Sequence, residues 1–303
     1  MTVLVADDVR LAVEAGDPVV ALETSVIGQG LPYPRNLECL ERMEDAIRGA
    51  GSLSAWTAVL DGAVRVGLDR RELEGIAEPG VATKVARKDL PVAVASGAVG
   101  ATTVSATIWA GHRAGIPVSA TGGIGGVHLG QVPDVSADLL ELARTPVLLV
   151  CSGPKSIVDP AATVEKLEEL GVALVGYGVD RLPFFLAREA PVALEHRVET
   201  PEAAAGLARA QRTTGVEAAV LLCNPIPAAH ALDADELLAA TDRAMVRMLH
   251  DGVAGKDVTP YLLRALAEET GGRSLEANLV LLEENGRLAG RVAAALSAAR
   301  SER

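Results

Sequence analysis

The sequence predicts a layered α/β protein, and three observations carry that expectation. Short apolar runs rich in Val alternate with longer, Ala-rich amphipathic segments, which is the rhythm of strands followed by helices. The 303-residue chain is 49% hydrophobic but only 2% aromatic, so its core must come from Ala, Val and Leu, which suits helices on a sheet better than an aromatic-rich sandwich. Pro34, Pro160 and Pro201 stand where a first helical turn tolerates a missing N–H, and Gly115, Gly171, Gly215 and Gly252 stand where helices stop.

In chain order, a strand over 18–24 precedes a helix over 34–49, and strands at 55–60 and 81–85 precede a helix over 102–114. A strand at 117–121 leads to a helix over 135–143, and a strand at 146–151 to a helix over 160–170. Strands at 173–177 and 218–223 flank a helix over 201–214, and helices over 234–251, 259–269 and 274–299 complete the chain. No long linker or repeat interrupts it, so residues 1–303 read as a single domain.

Forty acidic residues against 28 basic ones give a net charge of −12, which argues against nucleic acid or an anionic membrane as a partner but leaves room for a small anion. Cys39, Cys151 and Cys223 are too few and too scattered for a disulfide framework, and neither a signal peptide nor a spanning apolar run is present, so a cytoplasmic protein is expected. The basic residues divide into 23 Arg and five Lys. Arg serves a solvated surface but cannot act as an amine nucleophile, so each Lys is informative. Lys88, Lys166 and Lys256 lie among Asp and Glu and read as surface charges.

Several strands end in a chemically useful residue: Glu23, Lys84, Thr121, and the turn from Cys151 to Lys155. Parallel strands share one C-terminal edge, where ligands of open α/β sheets bind, so one carboxylate and two lysines are expected to converge there. Lys155, after a Gly-Pro turn, is either an amine whose pKa is lowered for attack on a sugar carbonyl or a surface lysine before a helix. Lys84 is the second cation, a phosphate ligand or a strand-end charge. Glu23 suits proton transfer, or accepts hydrogen bonds from the loop after it. Gly122, Gly123, Gly125, Gly126 and Gly130 crowd one segment, read as a phosphate- or base-cradling nest or as a tight structural loop. Asp134 and Asp138, four apart, lie on one face of a helical turn, either as ligands of Mg²⁺ or Mn²⁺ or as an N-cap and a solvent-facing carboxylate. His128 borders the Gly-rich loop, and Asn224 and Asn278 interrupt apolar surroundings.

The motifs Val19-Val-Ala-Leu-Glu-Thr24, Thr83-Lys-Val-Ala-Arg-Lys-Asp-Leu90, Gly100-Ala-Thr-Thr-Val104, Ala120-Thr-Gly-Gly-Ile-Gly-Gly-Val-His128, Cys151-Ser-Gly-Pro-Lys-Ser156, Asn224-Pro-Ile-Pro227 and Gly271-Gly-Arg-Ser-Leu-Glu-Ala-Asn278 resemble, in order, those of the pseudouridine-5′-phosphate glycosidase family, also known as pseudouridylate synthase or indigoidine synthase A-like proteins. The resemblance runs from about residue 10 to 295. It implies a homotrimer of three-layer α/β/α architecture around a mixed, largely parallel sheet. It also implies reversible cleavage of the C–C glycosidic bond of pseudouridine 5′-phosphate to uracil and ribose 5-phosphate. On that pattern Lys155 forms an imine with the ring-opened ribose, Glu23 moves protons, and Lys84 lies near the ribose. Val104, Ser136, Ala137 and Asp138 match substrate-binding positions, with Thr121 and Ser136 as phosphate contacts, and His128 and Asn278 address uracil. Asp134 matches a Mn²⁺ position, with Asp138 the alternative ligand.

The chain departs from the pattern at Gln29, where His is usual, at Pro154, at Leu129, and in a 129–133 loop about two residues short. No fused kinase follows, so a separate pseudouridine kinase is the expected supplier of substrate. A Schiff-base lyase acting on another sugar phosphate and a non-catalytic accessory protein of a pigment pathway are the competing readings.

Overall fold

The computed structural model describes residues 3–128, 134–253, 255 and 258–301. The chain opens with β1 (Val3–Val5), α1 (Asp7–Ala15), β2 (Val19–Glu23), α2 (Arg35–Gly49), β3 (Leu53–Leu60), β4 (Ala63–Val66) and α3 (Arg70–Ala77). Then come β5 (Thr83–Val85), α4 (Leu90–Ser96), β6 (Gly100–Thr102), α5 (Val104–Arg113), β7 (Val118–Ala120), β8 (Val127–His128), α6 (Ala137–Leu142) and β9 (Leu148–Cys151). The rest is β10 (Val158–Asp159), α7 (Pro160–Glu169), β11 (Ala173–Tyr177), β12 (His196–Val198), α8 (Pro201–Thr214), β13 (Val220–Cys223), α9 (Ala234–His250), α10 (Val258–Glu269) and α11 (Arg273–Ser301).

One large sheet runs in the order β1-β4-β3-β2-β7-β9-β13-β11-β12, with β6 and β5 attached through β3. From β3 to β12 the neighbours along this path are all parallel, whereas β4 and β6 are antiparallel to β3, so the sheet is mixed and largely parallel as expected. Alternation along β2 builds the layers, because successive side chains point to opposite faces. Val20 and Leu22 pack in one core with Leu40 and Ile47 of α2 and Leu281 and Leu282 of α11, while Val19 and Ala21 pack in another with Val9 of α1 and Ala106 and Ala110 of α5. The long helix α11 lies over β2, β7 and β9 between α2 and α8. Gly290 allows the close approach of α2, since a Cβ there would lie 2.8 Å from that of Ala50. No helix among the described residues is long and apolar enough to cross a membrane.

The sheet changes partner at Thr57. Up to that residue β3 is paired with β2, ending at Glu23 opposite Thr57, and beyond it Ala58 and Val59 pair instead with Ala101 and Gly100 of β6. Strand β4 occupies the other side of β3 from Thr57 to Leu60, where β6 pairs, so β2 and β6 succeed each other along one edge. Four buried threonines tie this junction. Thr24 Oγ1 donates to Thr57 O at 2.7 Å and accepts from Thr102 N at 3.0 Å, and Thr102 Oγ1 donates to Thr57 O at 2.6 Å. Thr57 Oγ1 donates to Leu22 O at 3.1 Å and lies 2.8 Å from both Thr102 Oγ1 and Thr107 Oγ1.

The structure trims most of the expected elements at their ends, and three of these changes bear on the site. The helix expected over 102–114 begins at Val104, because 100–102 is strand β6; the helix over 135–143 begins at Ala137; and the strand over 81–85 keeps only Thr83–Val85. Substituting Thr57→Val removes one hydroxyl from a fully buried network without changing its size, and is expected to cost about 1–3 kcal/mol. Denaturant unfolding with an unchanged midpoint would show the junction to be dispensable.

Candidate active site

A cavity of about 590 Å³ opens beside the ends of β2, β7 and β9, and every residue singled out above as catalytic, substrate-binding or metal-ligating lines it. Glu23 closes β2 and is 3% exposed. Its Oε1 accepts the hydroxyl proton of Thr121 and its Oε2 that of Ser25, so both oxygens are oriented by neutral donors. Thr121, expected as a phosphate contact, donates its hydroxyl proton to Glu23 and so orients that carboxylate.

Lys155 arrives on the turn after β9. Gly153 in that turn has φ +77°, a left-handed conformation that glycine adopts without penalty, and its missing Cβ leaves room for the Pro183 carbonyl. Beyond the ends of β7 and β9 their pairing continues as a zipper between the Gly-rich loop and this turn. Ser152 N donates to Gly122 O at 2.8 Å, Ile124 N to Gly153 O at 3.1 Å and Lys155 N to Ile124 O at 3.0 Å. Lys84 comes from a different direction than expected. Its strand, β5, is parallel to β6 and therefore runs against β2, so the lysine approaches from across the crevice rather than along a shared edge. Burial, and after it the charge of Lys155, lowers the Lys84 pKa from its ordinary value, against the opposing carboxylates of Asp138, Glu23 and Asp134. Lys88 and Lys166 pair with Asp89 and Glu169 at 2.8 Å, while Lys256 lies outside the described residues.

Asp134 and Asp138 do not share a helical turn. Helix α6 starts only at Ala137, with Ser136 as its N-cap: the Ser136 hydroxyl accepts from Asp138 N at 3.2 Å, and its own proton points to no partner among the described hydrogen bonds. Nor does Asp138 face solvent. Its buried carboxylate accepts from Ser105 N and from Gly125 N, both at 3.0 Å, so it caps the start of α5 from a distance and pins the Gly-rich loop. Asp134 is exposed and its carbonyl accepts from His128 N at 2.8 Å. Among the described residues no three His, Cys, Asp or Glu gather as a metal cage.

The glycines are explained by contact rather than by a nest. None of Gly122, Gly123, Gly125 and Gly126 has the positive φ that a nest alternates with. Their absent side chains make room for Leu281 and Leu282 at Gly122 and for Phe185 at Gly123, and Gly125 lies against Ser136. Gly130 and the short 129–133 loop lie outside the described residues. Val104 is the first residue of α5, and Asn278 projects from the first turns of α11. Sequence reasoning missed Ser25, whose only signal is its place two residues beyond Glu23, and Asn285, which stands among Glu283, Glu284 and Arg287 and carries no signal beyond its spacing of seven from Asn278 on the same helix.

The chain matches the model of a family described as indigoidine synthase A like protein over residues 8–295. It is 45% identical to a pseudouridine-5′-phosphate glycosidase of Methylobacterium nodulans over 98% of this chain and 88% of the relative, and 47% identical to one of Gemmatimonas aurantiaca over 94% and 93%. The prealnumycin C-glycosynthase AlnA, solved in complex with ribulose 5-phosphate, superposes with a TM-score of 0.89 at 38% identity, covering 100% of this chain and 99% of that one. An indigoidine synthase A-like protein of Thermotoga maritima gives 0.87 at 38% identity over 98% and 97%.

Burial lowers the pKa of His128 below its ordinary 6.5, the Lys84 and Lys155 charges add to this, and Asp134 and Asp138 oppose it. A depressed imidazole stabilises the fold fully above the unfolded value and loses that contribution as pH falls through the folded one. An NMR titration of His128 is expected to give a midpoint below 6.5, and a midpoint above it would mean that Asp134 dominates.

Proposed function

The chain belongs to the indigoidine synthase A-like family, and we propose that it cleaves the C–C glycosidic bond of pseudouridine 5′-phosphate reversibly, giving uracil and ribose 5-phosphate. The observation that carries this reading is a single cavity in which two lysines meet a buried, doubly hydrogen-bonded carboxylate, in a chain whose near full-length relatives bear that activity in their names.

A carbon leaving group needs an electron sink, and an imine supplies one. The Lys155 amine adds to the anomeric carbon as the bond to the ring oxygen breaks, and Glu23 delivers the proton that oxygen takes up. The adduct nitrogen, now an ammonium, returns a proton to Glu23, and its freed lone pair forms the carbon–nitrogen double bond while the bond to uracil breaks, the electron pair staying on the uracil carbon, which takes up that proton. Water adds to the iminium, releasing ribose 5-phosphate and the free amine. Lys84, with its lowered proton affinity, keeps a cationic partner near Lys155 whose charge the site can modulate. Ser136, whose oxygen is engaged as a cap, offers its proton to a phosphate oxygen. His128 and Asn278 form the polar part of the wall assigned to uracil, with Val104 and Ala137 giving it shape.

A divalent cation such as Mn²⁺ would lend positive charge to the phosphate. Asp134, exposed at the cavity, fits a metal that takes one protein carboxylate and completes its shell with water and phosphate, whereas Asp138 has both oxygens engaged. A cytoplasmic homotrimer, supplied by a separate pseudouridine kinase, belongs to the same proposal. Similarity to the C-glycosynthase favours one second reading, the same bond chemistry on another aglycone.

Release of uracil from pseudouridine 5′-phosphate, with uridine 5′-phosphate left intact, is the direct test; no uracil with a different C-glycoside turned over would select the second reading. Lys155→Arg should fold and lose roughly 10³-fold or more of kcat, and Glu23→Gln about 10²- to 10⁴-fold. Asp134→Asn should weaken activation by Mn²⁺ without altering the melting temperature, while Asp138→Asn should cost about 1–3 kcal/mol of stability. The opposite pattern would reverse the two assignments.

A further inference from the structure

Asn285 is fully buried in α11, one face of which lies over the sheet, and its amide meets three loops, two of which build the site. Its Nδ2 donates to Thr121 O at 2.9 Å and to Ser152 Oγ at 3.0 Å, with Gly122 O at 3.3 Å as a third acceptor. Its Oδ1 accepts from Asn224 Nδ2 at 3.0 Å and lies 3.4 Å from Ser152 Oγ. The orientation of the amide is unambiguous, because two of the groups facing Nδ2 are carbonyls that can only accept.

These partners sit at the ends of three adjacent parallel strands, β7, β9 and β13. Two of them lead directly to reacting groups. The residue whose carbonyl Asn285 holds, Thr121, orients Glu23 through its hydroxyl. Ser152 begins the turn that carries Lys155, and its own N–H is joined to the Gly122 carbonyl. Asn285 thus stands at the root of the zipper that joins the Gly-rich loop to the lysine turn.

We propose that Asn285 is a positioning residue for the reaction, setting the separation of Glu23 and Lys155 through Thr121 and Ser152. It touches no substrate. The proposal rests on the reading of Lys155 and Glu23 as the reacting groups.

The test compares kcat, KM and melting temperature for Asn285→Ala, Thr121→Val and the double variant, with kcat expressed per folded molecule. Displacing a reacting group by about 1 Å can cost on the order of 10²-fold, so Asn285→Ala is expected to lose about 10- to 100-fold in kcat with KM held within about twofold. In the Thr121→Val background the same substitution should cost markedly less, because the route from the amide to Glu23 is already cut. A lowered melting temperature with unchanged kcat per folded molecule, or additive losses in the double variant, would overturn the proposal. Should Asn285→Ala fail to fold, Ser152→Ala removes only one partner of the amide and is expected to lower kcat in the same direction by a smaller factor; an unchanged kcat there overturns it equally. If wild type releases uracil and Lys155→Arg does not, either of these overturning results removes the role of Asn285 alone, whereas no uracil from wild type removes the function itself.

Discussion

The handover at Thr57 is the constraint on which the rest of the structure depends. Because β3 outruns β2, the edge that β2 vacates after Glu23 must be taken by another strand, and β6 takes it in the reverse direction. The break leaves Glu23 at a strand end, facing a crevice rather than a neighbour. It also delivers Lys84, on the strand paired to β6, to the opposite wall. Every backbone group at such a discontinuity has to be satisfied or the burial is costly, and Thr24, Thr57 and Thr102 do this with side-chain oxygens that substitute for the missing ladder, while Thr107 bonds to the hydroxyls of Thr57 and Thr102. The second wall is made differently, by extending β7 and β9 past their ends into the Gly-rich loop and the lysine turn.

Charge is arranged on the same plan. In a protein with a net charge of −12, the cavity holds Lys84 and Lys155, with Lys88 also in its wall but paired to Asp89, and two buried carboxylates whose oxygens are engaged by hydroxyl or backbone N–H donors. Neutral donors hold each carboxylate in place without a guanidinium that would compete for it. No arginine among the described residues lines the cavity, and arginines such as Arg35 and Arg42 form ion pairs elsewhere, with Glu276. The residues able to exchange a proton or attack a carbon are thereby left together inside.

Much of this was legible in the sequence. The parallel strands β2, β7, β9, β11 and β13 are short apolar runs between helices, and the residues at or just beyond the ends of the first three, Glu23, Thr121 and Lys155, are among those the cavity collects. What escaped included helices α1, α3 and α4 and strands β1 and β4, but the miss that mattered for the site was β6: it has three residues, and its Gly-Ala-Thr reads as naturally as the start of a helix. Without β6 the reversed approach of Lys84 could not be foreseen. Asp134 and Asp138 misled for a related reason, since a spacing of four implies one helical face only if the helix covers both, and Ser136 caps it between them. The glycines signalled close approach correctly, but sequence cannot say whether the approaching atoms belong to a ligand or to Phe185 and Leu281. Asn285 carried no such signal, because Glu283, Glu284 and Arg287 around it read as a solvated stretch, and only the packed loops show that it is buried.

The central claim is that the Lys155 amine becomes covalently bonded to the sugar. Borohydride added during turnover of pseudouridine 5′-phosphate, followed by peptide mass spectrometry, tests it most directly. The account predicts a reduced pentose phosphate adduct on Lys155 and none on Lys84; a turnover-competent enzyme whose Lys155 remains unmodified, or an adduct confined to Lys84, would contradict it.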